Sequence, residues 1–234
     1  MRDFLDESMQ VSEITTLEGL FELRDIWNAL LLKSETNVIF LTHEWITNWW
    51  ASFGKDRGLL ILLAKKEEVL VGIAPLMISG QKIEFIGTPL IDYADFIISE
   101  EKRSVLDAFY SHLLLKKKWK SMHFDEVPQS SATLHFSKKF FEGKAIYFQT
   151  CFANECLSLD LKTINWDQLS KIIDTAEVRR GERILQREGV MEVKQVDDPA
   201  EVSDILQVLY GQHVGWWKRK GAPSMFSDKN YGSF

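Results

Sequence analysis

The stretch Leu59–Gly87, LLILLAKKEEVLVGIAPLMISGQKIEFIG, decides the fold of this chain. Three apolar runs, Leu59–Ala64, Val69–Met77 and Ile83–Ile86, are separated by the polar breaks KKEE and SGQK. Apolar runs of this length bounded by turn residues are typical of strands, and breaks this short join antiparallel neighbours. We therefore predict a three-stranded antiparallel meander in the middle of a sheet that helices cover.

Composition and charge narrow the class of protein. The 234 residues are 45% hydrophobic and 12% aromatic, which is ample for a globular core. The net charge of −6 argues against nucleic acid as the main partner, because domains that bind phosphate backbones usually carry a basic patch. No apolar run reaches the roughly 18 residues of a membrane span, and the N-terminus lacks the apolar core of a secretion signal. We expect a cytoplasmic protein.

Two helices are predicted before the meander. Thr15 with Glu18 fits a capping box, and Val11–Ile14 precedes it as a first edge strand. Thr42 caps the second helix and Gly54 ends it. The apolar stripe of the first helix is Leu20, Leu23, Trp27, Leu30 and Leu31, and that of the second is Trp45, Ile46, Trp49, Trp50 and Phe53. The second stripe is a core face or, as the alternative, the aromatic wall of a ligand groove.

Polar residues follow the meander in GTPLIDYADFIISEE. Asp92, Tyr93 and Asp95 lie just before a further short strand, Phe96–Ile98. The two carboxylates are either turn formers or site groups, and turns are the commoner setting for Asp. Ser99 is predicted to cap the next helix, with Glu100 and Glu101 in its first turn and Lys116–Lys118 at its end, as the helix dipole favours.

The remaining elements of the first part are less regular. A helix is expected to start at Ser130 or Ser131 after Pro128. Strands are predicted at Met122–Val127, Tyr147–Phe152 and Cys156–Leu161. With no histidine close in sequence, Cys151 and Cys156 are read as two core thiols rather than a disulfide or a metal site, and no metal is expected.

The composition changes at Lys162–Asn165, so we divide the chain into residues 1–161 and 162–234. Asn165 with Gln168 resembles a capping box, and a long helix is predicted from there to Glu188, with Gly189 as its stop. A strand at Val190–Val196 and a helix opened by Asp198 and Pro199 follow. The second part is therefore the start of another strand-plus-helix unit. We expect it to self-associate through the uncovered apolar side of the helix Glu201–Lys218.

Four arginines cluster on the predicted long helix. Arg179, Arg183 and Arg187 are spaced by four, and Arg180 lies beside them. Arginine binds phosphate and carboxylate bidentately, so the cluster could hold an anion. The alternative is an ordinary solvated face, which the residues alone slightly favour.

Residues spread along the chain carry a family resemblance. They are Trp27; Phe40–Trp45 with Trp49; Val71–Leu76; Phe85–Gly87; Asp92–Phe96; Arg179–Gly189; and His213–Trp217 with Gly221 and Phe226. Through the order and spacing of these residues, the chain resembles GNAT acyltransferases. It is similar in particular to the N-terminal half of the FemAB-related CelD/BcsL-type acetyltransferases. The resemblance implies a mixed α+β fold, with a mostly antiparallel central sheet flanked by helices and the start of a second GNAT-like domain.

The resemblance also implies an activity. Acetyl-CoA or another acyl-CoA would be the donor, and an amine of a sugar or other polar molecule the acceptor. Asp95 would be the catalytic base if it lies in the cleft between the two halves. Acceptor-binding candidates are Asp92, Tyr93, Trp45, Trp217 and Phe226, and anion-binding candidates are Arg179, Arg180, Arg183 and Arg187.

The donor site departs from the family pattern. GNAT domains hold the pyrophosphate of CoA on backbone N–H groups of a glycine-containing loop at a helix N-terminus. The matching segment of the first half, TPLIDYADFIISEEKRS, is acidic and lacks the pair of glycines found in that loop. The matching loop of the second half would lie beyond Phe234. We therefore expect the N-terminal part of a tandem enzyme, inactive alone and not binding acyl-CoA. Alternatives are a non-catalytic anion- or partner-binding module, and a FemAB-like aminoacyl transferase, against which the acidic charge weighs.

Overall fold

A computed structural model describes residues 9–116 and 119–233. The strands are β1 Gln10–Ile14, β2 Gly58–Lys66, β3 Val69–Ser79, β4 Lys82–Phe85, β5 Ile97–Ile98 and β6 Ser121–His123. The helices are α1 Leu17–Glu22, α2 Arg24–Lys33, α3 His43–Phe53, α4 Lys102–Lys116, α5 Ala132–Phe141, α6 Trp166–Ile173, α7 Ala176–Glu188, α8 Pro199–Arg219 and α9 Lys229–Ser233. The chain forms two compact units: the first runs to Ala153 and includes the segment from Ser227, and the second is Asn154–Phe226. The domain boundary predicted at residue 161 stays a prediction.

The predicted meander is confirmed as β2, β3 and β4. β2 pairs antiparallel with β3, and β3 pairs antiparallel with β4. The KKEE break turns at Glu67 and Glu68, whose φ angles are 46° and 65°, and the SGQK break turns at Gly80 with φ 61°. These left-handed conformations allow each connection to reverse the chain within a few residues.

The sheet is mixed and open. Its order is β1-β2-β3-β4-β6, and β5 pairs with β3 beyond the end of β4. Neighbouring strands in that order are antiparallel except β4 and β6, which are parallel and are connected through β5 and α4. The mixed α/β class expected from the sequence is therefore confirmed.

Helices cover the sheet on both faces, which explains why β2 reads as one unbroken apolar run. Leu60, Leu62 and Ala64 pack in a core with α4 and Phe141 of α5. The alternate residues Leu59, Ile61 and Leu63 pack in a second core with α1, α2 and α3. The predicted stripes of the first two helices lie mostly in this second core.

Several helix boundaries differ from the predictions. The cap of α1 is Thr16, which accepts from the Gly19 amide, so the Thr15 capping box is wrong. The first helix is also split at Leu23 into α1 and α2. The cap at Thr42 and the stop at Gly54 are confirmed for α3.

The start of α4 is a further correction. The helix begins at Lys102 with no acidic residue in its first turn, so the cap at Ser99 is wrong. Glu101 precedes the helix with a left-handed φ of 48°; its carbonyl accepts from the Val105 amide, and its side chain pairs with Lys66. Lys116 closes α4 as predicted, and the other two lysines of that run lie outside the described residues.

The later strand predictions are wrong. Residues 147–152, 156–161 and 190–196 form no strand, and Met122–Val127 shortens to β6. An alternating pattern becomes a strand only beside a partner strand, and the described residues provide none for these segments. Tyr147 and Leu157 are 86% and 96% exposed. Cys151 and Cys156 are free and exposed, so the core-thiol prediction is wrong as well.

The second unit is helical. The capping box of Asn165 with Gln168 is confirmed, but the single long helix is wrong because Thr175 caps a new helix, α7, by accepting from the Val178 amide. Gly189 ends α7, and Asp198 and Pro199 start α8, as predicted. None of the helices in the described residues is both long and apolar enough to cross a bilayer.

Candidate functional site

A cavity of about 220 Å³ lies in the first unit, beside β5. Its walls come from the connection between α2 and α3, the segment before β5, the first residue of α4 and the first turn of α5. Asp95 and Lys102 bring opposite charges to this cavity, and Tyr93 is also part of its lining. A concave site with a few convergent polar groups is the usual setting for a small ligand.

Asp95 is the buried carboxylate of the site, with 2% of its surface exposed. Its Oδ1 accepts from the Phe96 amide at 2.8 Å and from Thr133 Oγ1 at 2.5 Å. Its Oδ2 accepts from Ser131 Oγ at 2.5 Å. Ser131 is the N-cap of α5, so the carboxylate is fixed against the positive end of that helix.

Two opposing effects set the acidity of Asp95. Burial raises the pKa of its carboxyl group, because the charged form loses its hydration. Hydrogen bonds from Ser131, Thr133 and the Phe96 amide, and the positive charge of Lys102, lower this pKa in part. The net direction is upward, which makes this carboxylate more basic than an ordinary Asp.

Asp95 retains capacity to bind a ligand. A carboxylate has about four acceptor positions, and the three bonds above leave one. Among the described residues, Oδ2 accepts from Ser131 alone. Asp95 is part of the cavity lining, and an N–H or O–H group of a bound molecule would have to reach Oδ2 to use that position.

Lys102 is the cationic group of the cavity. It forms an ion pair with Glu35, which belongs to the lining as well. The Lys102 side chain is 27% exposed and the Glu35 side chain 78%. The connection carrying Glu35 is held to the residue before β5, since Thr36 Oγ1 donates to the Phe96 carbonyl at 3.3 Å.

The other predicted residues of this region have different positions. Tyr93 is part of the cavity lining and is 37% exposed. Asp92 is exposed and does not belong to the lining. Trp45 is half-buried outside the lining, and its ring packs edge-on against Phe40 at 5.5 Å. Of the predicted acceptor-binding residues, the cavity therefore brings together Tyr93 and the proposed base Asp95.

Trp217 and Phe226 belong to the second unit, where they surround His213. Trp217 Nε1 donates to His213 Nε2 at 3.1 Å, and the Phe226 ring lies 4.8 Å from the imidazole. An indole N–H can only donate, so Nε2 carries no proton and Nδ1 donates to Ser224 Oγ at 2.9 Å. His213 is therefore not placed to take a proton from Ser224, and the cluster has no activated nucleophile.

The four arginines all lie exposed on α7. Arg179 pairs with Asp174 at 3.2 Å. The described residues show no ion pair for Arg180, Arg183 or Arg187. Their surroundings match the solvated face that the sequence slightly favoured, and anion binding there stays a prediction.

Sequence reasoning missed several residues of the cavity. Ser131 was expected only as a helix cap, and Thr133, Lys102 and Glu35 were not expected at all. Ser131 and Thr133 reach Asp95 across 36 and 38 residues of chain. No local pattern encodes contacts of this kind.

No protein-family model matches the chain, and no curated protein matches it. Within residues 9–116 and 119–233, no group of three or more His, Cys, Asp or Glu side chains is arranged to hold a metal ion.

Proposed function

We propose that the first unit is the acceptor-binding part of a GNAT-type acyltransferase of the CelD/BcsL kind, and that it binds an amine in the cavity at Asp95. The observation that carries the proposal is the buried, hydrogen-bonded carboxylate in the cavity wall, with one acceptor position open. A protonated amine is the ligand group that best matches such a position, because it supplies both a positive charge and N–H donors.

The order of elements in the first unit supports the proposal. An antiparallel set, β1 to β4, is followed by the short strand β5, the helix α4 and the strand β6, which runs parallel to β4. This arrangement is consistent with the GNAT-like order that the sequence suggested. A fold by itself does not establish an activity, so the proposal rests mainly on the chemistry of the cavity.

Asp95 is proposed to hold the amine and to accept its proton. Transfer to an amine requires the ammonium group to be oriented and to lose a proton before its nitrogen can attack. Asp95 is fixed by α5, and its pKa is raised by burial, which brings the carboxylate closer to the range where proton transfer is efficient. Trp45 is proposed as a packing residue and Tyr93 as a wall for the acceptor.

The residues after β4 do not fit a CoA pyrophosphate. The segment 86–101 contains a single glycine, Gly87, and the acidic residues Asp92, Asp95, Glu100 and Glu101. Negative charge repels the phosphates that a helix N-terminus would otherwise attract. We therefore propose no donor-binding role for the first unit.

An NMR titration of the full chain with glucosamine and N-acetylglucosamine tests this proposal. The free amine is expected to shift amide signals around Asp95 and Tyr93, whereas the acetylated sugar, which lacks the charge, is expected to bind at least about tenfold more weakly. Asp95→Asn should remove that difference. Equal binding of the two sugars, or an unchanged preference in the variant, would overturn the proposal.

A second candidate function is anion binding by α7. It is favoured by the three arginines without an ion pair described above. Replacing Arg183 and Arg187 together by Gln should abolish binding of inorganic pyrophosphate and leave the helical circular dichroism unchanged. If no pyrophosphate binds the unmodified chain, the arginines form a solvated face only.

A further inference from the structure

We infer that the molecule bound at Asp95 is a zwitterion, and that Lys102 binds its anionic group in place of Glu35. The inference rests on the proposed function, because it takes the amine at Asp95 as given. It adds a second recognition point and a class of acceptor, namely small molecules that carry an amine and a carboxylate or phosphate.

Three charged residues line the cavity: Asp95, Lys102 and Glu35, the partner of Lys102. Asp95 and Lys102 belong to the same lining, and the positive charge of Lys102 is close enough to influence the Asp95 carboxyl. An amine without an anionic group would approach Asp95 while being repelled by Lys102. A zwitterion avoids this conflict, since its anionic end can lie against Lys102.

Glu35 occupies the position that the anionic group of the ligand would take. Its carboxylate pairs with Lys102, but 78% of the Glu35 side chain is exposed, compared with 27% for Lys102. Exposed ion pairs of this kind are weak and exchange readily with other partners. Lys102 is therefore the fixed cationic group of the cavity, and the carboxylate of Glu35 can be displaced from it by the anionic group of a ligand.

The apolar part of the lining suits a short carbon skeleton. Its members include Val38, Leu41, Ala94, Phe96, Ile98 and Pro128. Such a wall favours methylene groups or a sugar ring face over further charged groups. A volume of about 220 Å³ has room for a small metabolite of this type.

The test is an NMR titration of the full chain with ω-amino acids and the matching amines. The probes are 4-aminobutyrate against propylamine and 6-aminohexanoate against pentylamine. At least one amino acid is expected to bind about tenfold more tightly than its amine. Lys102→Met should remove this preference, Lys102→Arg should restore it, and Glu35→Gln should strengthen binding of the amino acid by removing its competitor.

Lys116→Met is the matched control, because Lys116 lies at the other end of α4 and pairs with Glu13 outside the cavity. It should leave all affinities unchanged. Amines that bind as tightly as their amino acids would overturn this inference and leave the proposed function intact. If neither glucosamine nor any of the four probes binds, both are wrong. An unchanged preference in Lys102→Met also overturns the inference.

Discussion

At the scale of single residues, two carboxyl groups respond to the fold in opposite directions. Asp95 is buried, and its pKa is raised. Glu44 accepts from Asn28 and Arg24, and these hydrogen bonds, those from Asn28 above all, lower its pKa to about 2. The two carboxyl groups therefore change the stability of the fold in opposite directions as pH rises.

Asp95→Asn is expected to alter the pH dependence of stability. With a raised pKa, the folded state holds a proton that the unfolded state loses above about pH 4. The stabilising contribution is therefore complete below that pH and is lost as pH rises through the pKa of the folded state. Urea denaturation of both proteins between pH 3 and 7 checks this. The unmodified chain should lose stability relative to the variant as pH rises, and a constant difference would contradict the assignment.

Glu44→Gln is expected to show the reverse trend. The contribution of Glu44 is present above the ordinary pKa of a Glu and is lost as pH falls toward about 2. In the same urea series, the free energy of unfolding of the unmodified chain should therefore increase relative to that of this variant as pH rises. The gain should be small, because the Glu44 side chain is 46% exposed and water screens its charge. If the stabilities of the unmodified chain and the Glu44→Gln variant differ by the same amount at every pH, the hydrogen bonds of Glu44 to Asn28 and Arg24 do not persist in solution.

At the scale of elements, predictions succeeded where local chemistry is enough. The caps at Thr42 and Asn165 use a side chain and an amide three residues apart, so the sequence contains both partners. The strand predicted at residues 190–196 failed because a strand also needs a neighbour, and alternation of side chains does not supply one. The cavity is also formed by residues that are far apart in the sequence. For that reason the sequence predicts only Asp95 and Tyr93 as site residues there.

Gly72→Ala should weaken the packing of α4 on the sheet. A Cβ at position 72 of β3 would lie 2.5 Å from Val105 Cγ1 and 3.2 Å from Phe109 Cζ, both on α4. Overpacking of this kind costs about 1–3 kcal/mol. Thermal denaturation should show the loss, and the double variant with Val105→Ala should recover part of it.

Gly211→Ala is the control for this substitution. Nothing lies within 4 Å of a Cβ at position 211 of α8, and alanine favours a helix over glycine by about 1 kcal/mol. We expect the control to be neutral or slightly stabilising. A similar loss of stability in both variants would show that the cost at Gly72 does not arise from contact with α4.

At the scale of the whole molecule, the two units differ in burial. The described core residues belong almost entirely to the first unit, whereas α6, α7 and α8 contain no buried residue. Amphipathic helices gain most of their stability from packing, so the second unit should open more easily than the first. Hydrogen exchange is expected to be slow in β2 and β3 and fast throughout α6–α8. Equal protection in the two units would contradict this difference.

The exposed side of α8 is expected to make the chain associate. Leu206, Leu209 and Trp216 are 37%, 47% and 47% exposed, and neighbouring apolar residues of this size tend to pair with another surface. Leu209→Lys should shift sedimentation velocity profiles toward the monomer and leave protection of the first unit unchanged. Leu115→Lys is the matched control, because Leu115 is 81% exposed on α4 and its replacement should not change association. A monomer that persists across the whole concentration range in the unmodified chain would show that α8 does not drive association.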